Sequence, residues 1–190
     1  MIDSKETYRA YLRQDQLALG RQHDSRPHLF GDEIWKFERL LRKVEYDINC
    51  RRGILSVPVC KYHKFRYHRL SVRLGFTIPA NVFGPGLALP HYGTIVVHGS
   101  VRAGRNCRLQ EGVTIGATNG SHEAATIGDN CYFGSGAKVI GALTIADDVA
   151  VGANAVVTKD IKEPGTTWAG IPARKISDTD SHSNLCADLF

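Results

Sequence analysis

The chain holds no apolar run long enough to span a bilayer. Its N-terminus, MIDSKETYRAYLRQDQ, has none of the apolar core of a secretion signal. Together these predict a cytoplasmic protein with no membrane span. Its five cysteines (Cys50, Cys60, Cys107, Cys131 and Cys186) form no CxxC and no paired framework, which argues against a disulfide scaffold or a zinc–thiolate centre. There is no RNP-like segment and no zinc-finger spacing, so nucleic acid is not an expected partner. Acidic residues are missing from 51–73, where Arg51, Arg52, Lys61, Lys64, Arg66, Arg69 and Arg73 stand unopposed. The imbalance is local. Residues 1–76 carry 16 Lys and Arg against 9 Asp and Glu, residues 77–190 carry 8 against 10, and the net charge is +5. Such a patch suits a solvated helix face or an anionic partner such as lipid headgroups or an acidic glycan.

What is present is a six-residue repeat. From Ile127 to Ile161 the blocks read IGDNCY, FGSGAK, VIGALT, IADDVA, VGANAV and VTKDI. Position one is large and apolar at Ile127, Phe133, Val139, Ile145, Val151 and Val157. Position five is apolar and often small, at Cys131, Ala137, Leu143, Val149, Ala155 and Ile161. Upstream, Val97, Ala103, Leu109 and Ile115 hold position one in the same phase. A period of six fits neither an alternating strand nor an amphipathic helix. It is the signature of a parallel β-helix, in which three hexapeptides close one triangular coil of ~18 residues. Position-one side chains stack inside the prism, position-five residues fill its corners, and successive coils advance ~4.8 Å. Cys107 and Cys131 fall on position five, where cysteine acts as a small hydrophobe. Residues 77–161 supply about five coils on this count. The segment 116–126, GATNGSHEAAT, keeps phase but lacks an aliphatic at 121, which predicts a loop standing off the prism.

Ahead of the repeat, residues 5–19, 32–50 and 59–74 read as helices. The second is the strongest, with Asp32 as N-cap and Trp35, Leu40, Leu41, Val44 and Ile48 as its apolar stripe. The expected fold class is mainly β, a parallel β-helix over 77–176 with an N-terminal α-helical cap over 1–76. Residues 177–190 have no periodicity and read as a flexible tail.

Two stretches carry reactive side chains, LALPHYGTIVVHG (87–99) and TNGSHEAAT (118–126). The segment 84–117 resembles the serine acetyltransferase branch of the hexapeptide acyltransferases. The family's Leu-Asp-His-Ala-Thr-Gly-Ile-Val-Val stretch aligns without a gap with LPHYGTIVV here. WAGIPARKI (168–176) is similar to the family's closing Ala-Gly-Val-Pro-Ala-Arg motif. The resemblance implies a left-handed β-helix, a homotrimer with active sites between adjacent prisms, and acyl transfer from acetyl-CoA with no metal required. It places the general base at His91. An alcohol ionises far above neutral pH, so it attacks a thioester only if its proton leaves as the bond forms. An imidazole can take that proton and return it to the departing thiolate, while backbone N–H groups hold the oxyanion. The resemblance gives His122 a second catalytic or substrate-contacting role, although it lies five rather than three residues before the next aliphatic. Tyr92 beside His91 suits a substrate contact. Gly116, Ser135 and Ala153 would line the pantetheine arm of coenzyme A, with Arg174 and Lys175 at its phosphates. His98 reads as surface or cleft wall.

The chain departs from that branch at two carboxylates. The family's Asp before the catalytic His, which helps hold the substrate's ammonium, is Pro90 here. The Asp that orients the His aligns with Phe76. The cap is also shorter, and the last residue is Phe190 where many of the branch end in Ile. The lost carboxylates point away from free L-serine, and the short cap and Phe190 point away from a role in cysteine synthesis. With the basic patch and Tyr92, they point toward an O-acetyltransferase for a sugar hydroxyl in surface-polysaccharide biosynthesis. Serine O-acetylation for cysteine biosynthesis and a non-catalytic β-helix trimer are the alternatives. A zinc enzyme of the carbonic anhydrase type needs a His-x4-His pair, which His91, His98 and His122 do not reproduce. An antibiotic-inactivating acetyltransferase normally carries a larger excursion loop than 116–126.

Overall fold

The structure is a computed structural model and describes residues 1–118 and 120–190. Asn119, within the expected loop, lies outside the described residues. Three helices precede the repeat. α1 (Lys5–Ala18) begins at Ser4, whose hydroxyl accepts the Thr7 N–H at 3.1 Å while the Thr7 hydroxyl accepts the Ser4 N–H at 2.9 Å, a reciprocal cap. α2 (Glu33–Cys50) buries Trp35, Phe37, Leu40, Leu41 and Val44, whereas Ile48 of the expected stripe is exposed. Asp32 stands at its start but does not cap it. Its backbone is left-handed (φ 56°), and its carboxylate accepts from Arg21 and from the His28 N–H instead. α3 (Val57–Leu74) has Pro58 in its first turn and stops at Gly75, which adopts φ 77°. Its outer side presents Lys61, Lys64, Arg66 and Arg69 to solvent.

The prism follows. Its first coil opens with β1 (Phe76–Thr77). The second holds β2 (Ile95–Val97), β3 (Arg102–Ala103) and β4 (Arg108–Leu109). The third holds β5 (Thr114–Gly116), β6 (Thr126–Ile127) and β7 (Tyr132–Phe133). The fourth holds β8 (Lys138–Ile140), β9 (Thr144–Ile145) and β10 (Ala150–Val151), and the fifth β11 (Val156–Val157) and β12 (Thr167–Ala169). β13 (Arg174–Ser177) returns antiparallel to β12. The three faces are the sheets β1-β2-β5-β8-β11, β3-β6-β9 and β4-β7-β10-β12-β13. This is the left-handed parallel β-helix under a helical cap that the resemblance implied.

The register stacks the position-one residues as the repeat predicts. Val97 lies on Ile115, Ile115 on Val139 and Val139 on Val157. Leu109, Phe133 and Val151 stack on a second face. All of these are at most 2% exposed. The position-five residues Cys107, Cys131, Ala137, Val149 and Ala155 are buried at the corners. Burial pushes the Cys107 thiol up to about 12 and raises that of Cys131, so both stay protonated and unreactive. Val97 to Ile115 is one step of 18 residues, while Ile115 to Val139 is a step of 24. The extra six residues are the excursion between β5 and β6.

Residues 177–190, expected as a flexible tail, fold back along one corner of the prism. Ser181 is fully buried, its hydroxyl donates to the Asn130 carbonyl and its N–H to the Asp148 carbonyl at 3.1 Å. His182 pairs with the Asp148 carboxylate at 2.8 Å and stacks on Phe190. A column of side-chain bonds runs on from Asp148 to Asn130, Asn106 and Gln14 of α1, each 2.8–2.9 Å. Polar contacts without periodicity hold this segment, so a search for periodicity misses them. Among the described residues no helix is long and apolar enough to cross a membrane.

Candidate active site

The segment that ends in His91 is held by buried charges from the cap. Arg42 of α2 is fully buried. It donates to Asp15 of α1 at 2.7 and 3.1 Å, to Glu45 at 3.0 Å, and to the carbonyls of Phe83 and Gly84 at 2.9 and 2.6 Å. Asp15 in turn accepts the N–H groups of Gly86 and Leu87 at 2.8 and 3.0 Å, and Glu38 accepts that of Leu89 at 3.0 Å. The first coil therefore reaches Pro90 with its backbone groups tied to two helices. Burial and the neighbouring Asp15 charge push the Glu38 carboxyl well above its ordinary range.

After Leu89 the chain turns the corner between the β4-containing and β1-containing faces. Pro90 is half-buried, and His91 and Tyr92 are exposed. Gly93 completes the turn at φ 133°, and a Cβ there would sit 3.0 Å from Cβ of Glu111, so only glycine fits. The corner of each later coil lies beneath. The Gly112 N–H donates to the Thr94 carbonyl, the Gly136 N–H to that of Glu111, and the Asn154 N–H to that of Ser135, each at 2.8 Å. The predicted His91, Ser135 and Ala153 thus share one edge of the prism. Residues 170–173 extend it, with the Val156 N–H donating to Gly170 and the Ala173 N–H to Val156. Arg174 follows directly, exposed, its guanidinium donating to the Ala173 carbonyl at 3.1 Å. Lys175, expected to meet phosphates with it, is held instead by Glu163 and by Asp178 at 2.6 Å.

Glu111 is the residue that sequence reasoning missed. Its carboxyl is held below its ordinary value, first by the Ser135 hydroxyl, with the charge of His91 adding a smaller effect. Its signal was its place, one coil after His91 at the same corner. Phe76 cannot supply a carboxylate by any rearrangement, because it is a core residue, 2% exposed and edge-on to Phe37.

His122 and Gly116 lie on a different edge, where β5 passes through the excursion to β6. His122 is exposed in an open depression beside Ser100, Ala142 and Thr144. Gly116 accepts the Gly141 N–H at 2.9 Å, and a Cβ there would meet only ordinary contacts, 3.7 Å from Ile140. His98 borders the same edge, half-buried, its Nδ1 accepting the Ser100 N–H at 3.2 Å. One copy of the chain therefore does not bring His91 and His122 together. Among the described residues one cluster has metal-ligand composition, Asp24, His28 and Asp32. Arg21 already bridges its two carboxylates, at 3.3 Å from Asp24 and 2.8 Å from Asp32.

Residues 124–159 match the family described as bacterial transferase hexapeptide (six repeats). The serine acetyltransferase of Helicobacter pylori is 36% identical over 101 residues, which is 52% of this chain and 58% of that protein. The chain thus spans less than two thirds of the length of the curated relatives it matches. The crystal structure of the serine acetyltransferase from Brucella abortus superposes with a TM-score of 0.71 at 22% identity, covering 93% of this chain and 72% of that one. That of Neisseria gonorrhoeae in complex with serine gives 0.68 at 22% identity, covering 92% and 71%. These findings overturn the sugar acceptor and the surface-polysaccharide role read from Pro90 and Phe76. The relatives are serine acetyltransferases, so the reading that stood second takes the first place. In repeat, sequence and fold, this chain is similar to the serine acetyltransferase branch of the hexapeptide-repeat acyltransferases.

Proposed function

We propose that the chain is an acetyl-CoA-dependent O-acetyltransferase whose acceptor is an amino acid of the serine class. The observation that carries this reading is the exposed His91 at the head of an edge lined by small residues, Ser135 and Ala153, with Arg174 at its far end. Three coil steps separate His91 from Ala153, about 14 Å at ~4.8 Å per coil. An extended pantetheine arm can lie along such an edge, with its thioester near His91 and its phosphates near Arg174. His91 takes the acceptor's hydroxyl proton as the oxygen attacks the thioester carbonyl. The tetrahedral adduct then collapses, the C–S bond breaks, and the imidazolium gives its proton to the thiolate. The products are an acetyl ester and free coenzyme A. His122 sits on another edge, so its role in this reading requires a second copy of the chain, which supports a homotrimer with the site between prisms. A coenzyme A donor also agrees with a cytoplasmic location.

The test is thiol release from acetyl-CoA with L-serine as acceptor, in the wild type and in His91→Ala. Loss of the base should lower kcat/KM about 10²–10⁴-fold. No turnover of L-serine by the wild type would overturn the reading.

A further inference from the structure

A cleft of about 260 Å³, lined by Pro90 and Tyr92, the two chain neighbours of His91, opens between the cap and the first two coils. Drug-sized ligands occupy roughly 300–1,000 Å³, so this one suits something smaller, of amino-acid size. Trp35, Pro90 and Tyr92 form apolar walls, and three charged side chains, Arg21, Asp32 and Arg108, reach it. Two of these satisfy each other: Arg21 donates to Asp32 through both terminal nitrogens, at 2.8 and 2.9 Å. Arg108 is different. It lies on β4, beside Ala88 of the coil above and Tyr132 of the coil below. The next residue, Leu109, points into the prism and is fully buried, so Arg108 points outward under the cap. Its Nε is enclosed and has no hydrogen-bond partner. Among the described residues no carboxylate pairs with its guanidinium. This half-buried guanidinium, with its enclosed Nε unpartnered, is best met by an anion, and its planar fork matches a carboxylate.

We infer that Arg108 binds the carboxylate of the acceptor in this cleft and so selects a free amino acid over acceptors that lack that group. The inference rests on the serine-class reading above and adds the residue that recognises the acceptor. It also accounts for Pro90. With no acid at that position, and with Asp32 already paired with Arg21, recognition moves to the other end of the amino acid.

The experiment compares L-serine with serinamide, in the wild type, Arg108→Gln and Arg108→Lys. In the wild type, serinamide should be poorer by about 10- to 100-fold in kcat/KM, the range for a lost hydrogen bond to a charged group. Arg108→Gln should raise KM for L-serine by a similar factor and abolish the preference over serinamide, with KM for acetyl-CoA and the melting temperature unmoved. Arg108→Lys keeps the charge but not the fork and should fall between. Equal KM for L-serine in wild type and Arg108→Gln would overturn the inference while the serine-class reading survives. If the wild type turns over no L-serine, calorimetric titration with L-serine decides. Binding that is lost in Arg108→Gln upholds the carboxylate site, and no binding to the wild type overturns it.

Discussion

At the corner that bears His91, the next coil stacks the carboxylate of Glu111 beneath Gly93. Ser135 first, and His91 to a smaller extent, hold the Glu111 carboxyl below its usual 4.5. It therefore stays ionised across the neutral range and puts a negative charge at the corner that bears His91. Glu111→Gln removes that charge and keeps the size of the side chain. If His91 is the base, kcat/KM should fall by about two- to fivefold, the scale of an exposed charge pair. Thiol release by the two proteins on one acceptor checks it, and an unchanged or higher kcat/KM would show that Glu111 does not act on His91. The resemblance named His91, Gly116, Ser135 and Ala153, and the register puts His91, Ser135 and Ala153 on one edge and Gly116 on another. Glu111 and Arg108 were not legible in the sequence. Both point outward, and the hexapeptide pattern constrains what points inward while leaving outward positions free to vary. Only their register with His91, Pro90 and the cap gives them meaning.

Among the elements, the join between helices and prism matters most for the site. The repeat and the helix periods announced both halves, including α3 to within two residues of its start. Nothing in them announced that Asp15, Glu38, Arg42 and Glu45 lie on the buried sides of α1 and α2. A helix stripe is read from apolar residues, and a buried charge counts against it. Yet these groups take the backbone N–H and C=O groups of residues 83–89, which have no strand above them, and so position the turn at Pro90–His91. Arg42→Ala leaves Asp15 buried without its counter-charge and two carbonyls without donors. The expected cost is about 3–5 kcal/mol, which should appear as a fall in melting temperature of roughly 10 °C or more. The double variant Arg42→Ala, Asp15→Ala should lose clearly less than the sum of the two singles, because the orphaned charge is gone. Calorimetric melting of the four proteins closes the cycle, and additive losses would mean that the two side chains act independently. The tail belongs to the same lesson. Asp148 and His182 dock it through hydrogen bonds at one corner, and no apolar period marks such contacts in advance.

At the scale of the molecule, the two histidines of the proposed site stand at different corners. His91 heads one edge of the prism, and His122 stands on another, across the face that begins at β1. A rigid, fully stacked core cannot bend to bring the two together, so a site that uses both must be completed by another copy. A ring of three copies in which one edge of each meets another edge of the next supplies three equivalent sites by a head-to-tail contact. That arrangement has a consequence that a site within one copy lacks. His91→Ala and His122→Ala should each be inactive alone. When the two are unfolded, mixed in equal amounts and refolded together, random assembly pairs an intact His91 with an intact His122 at about a quarter of the contacts. Thiol release should then return to about a quarter of the wild-type rate, although neither parent contributes any. A mixture no more active than its parents would sink the shared site, and with it the trimeric arrangement on which the role of His122 depends.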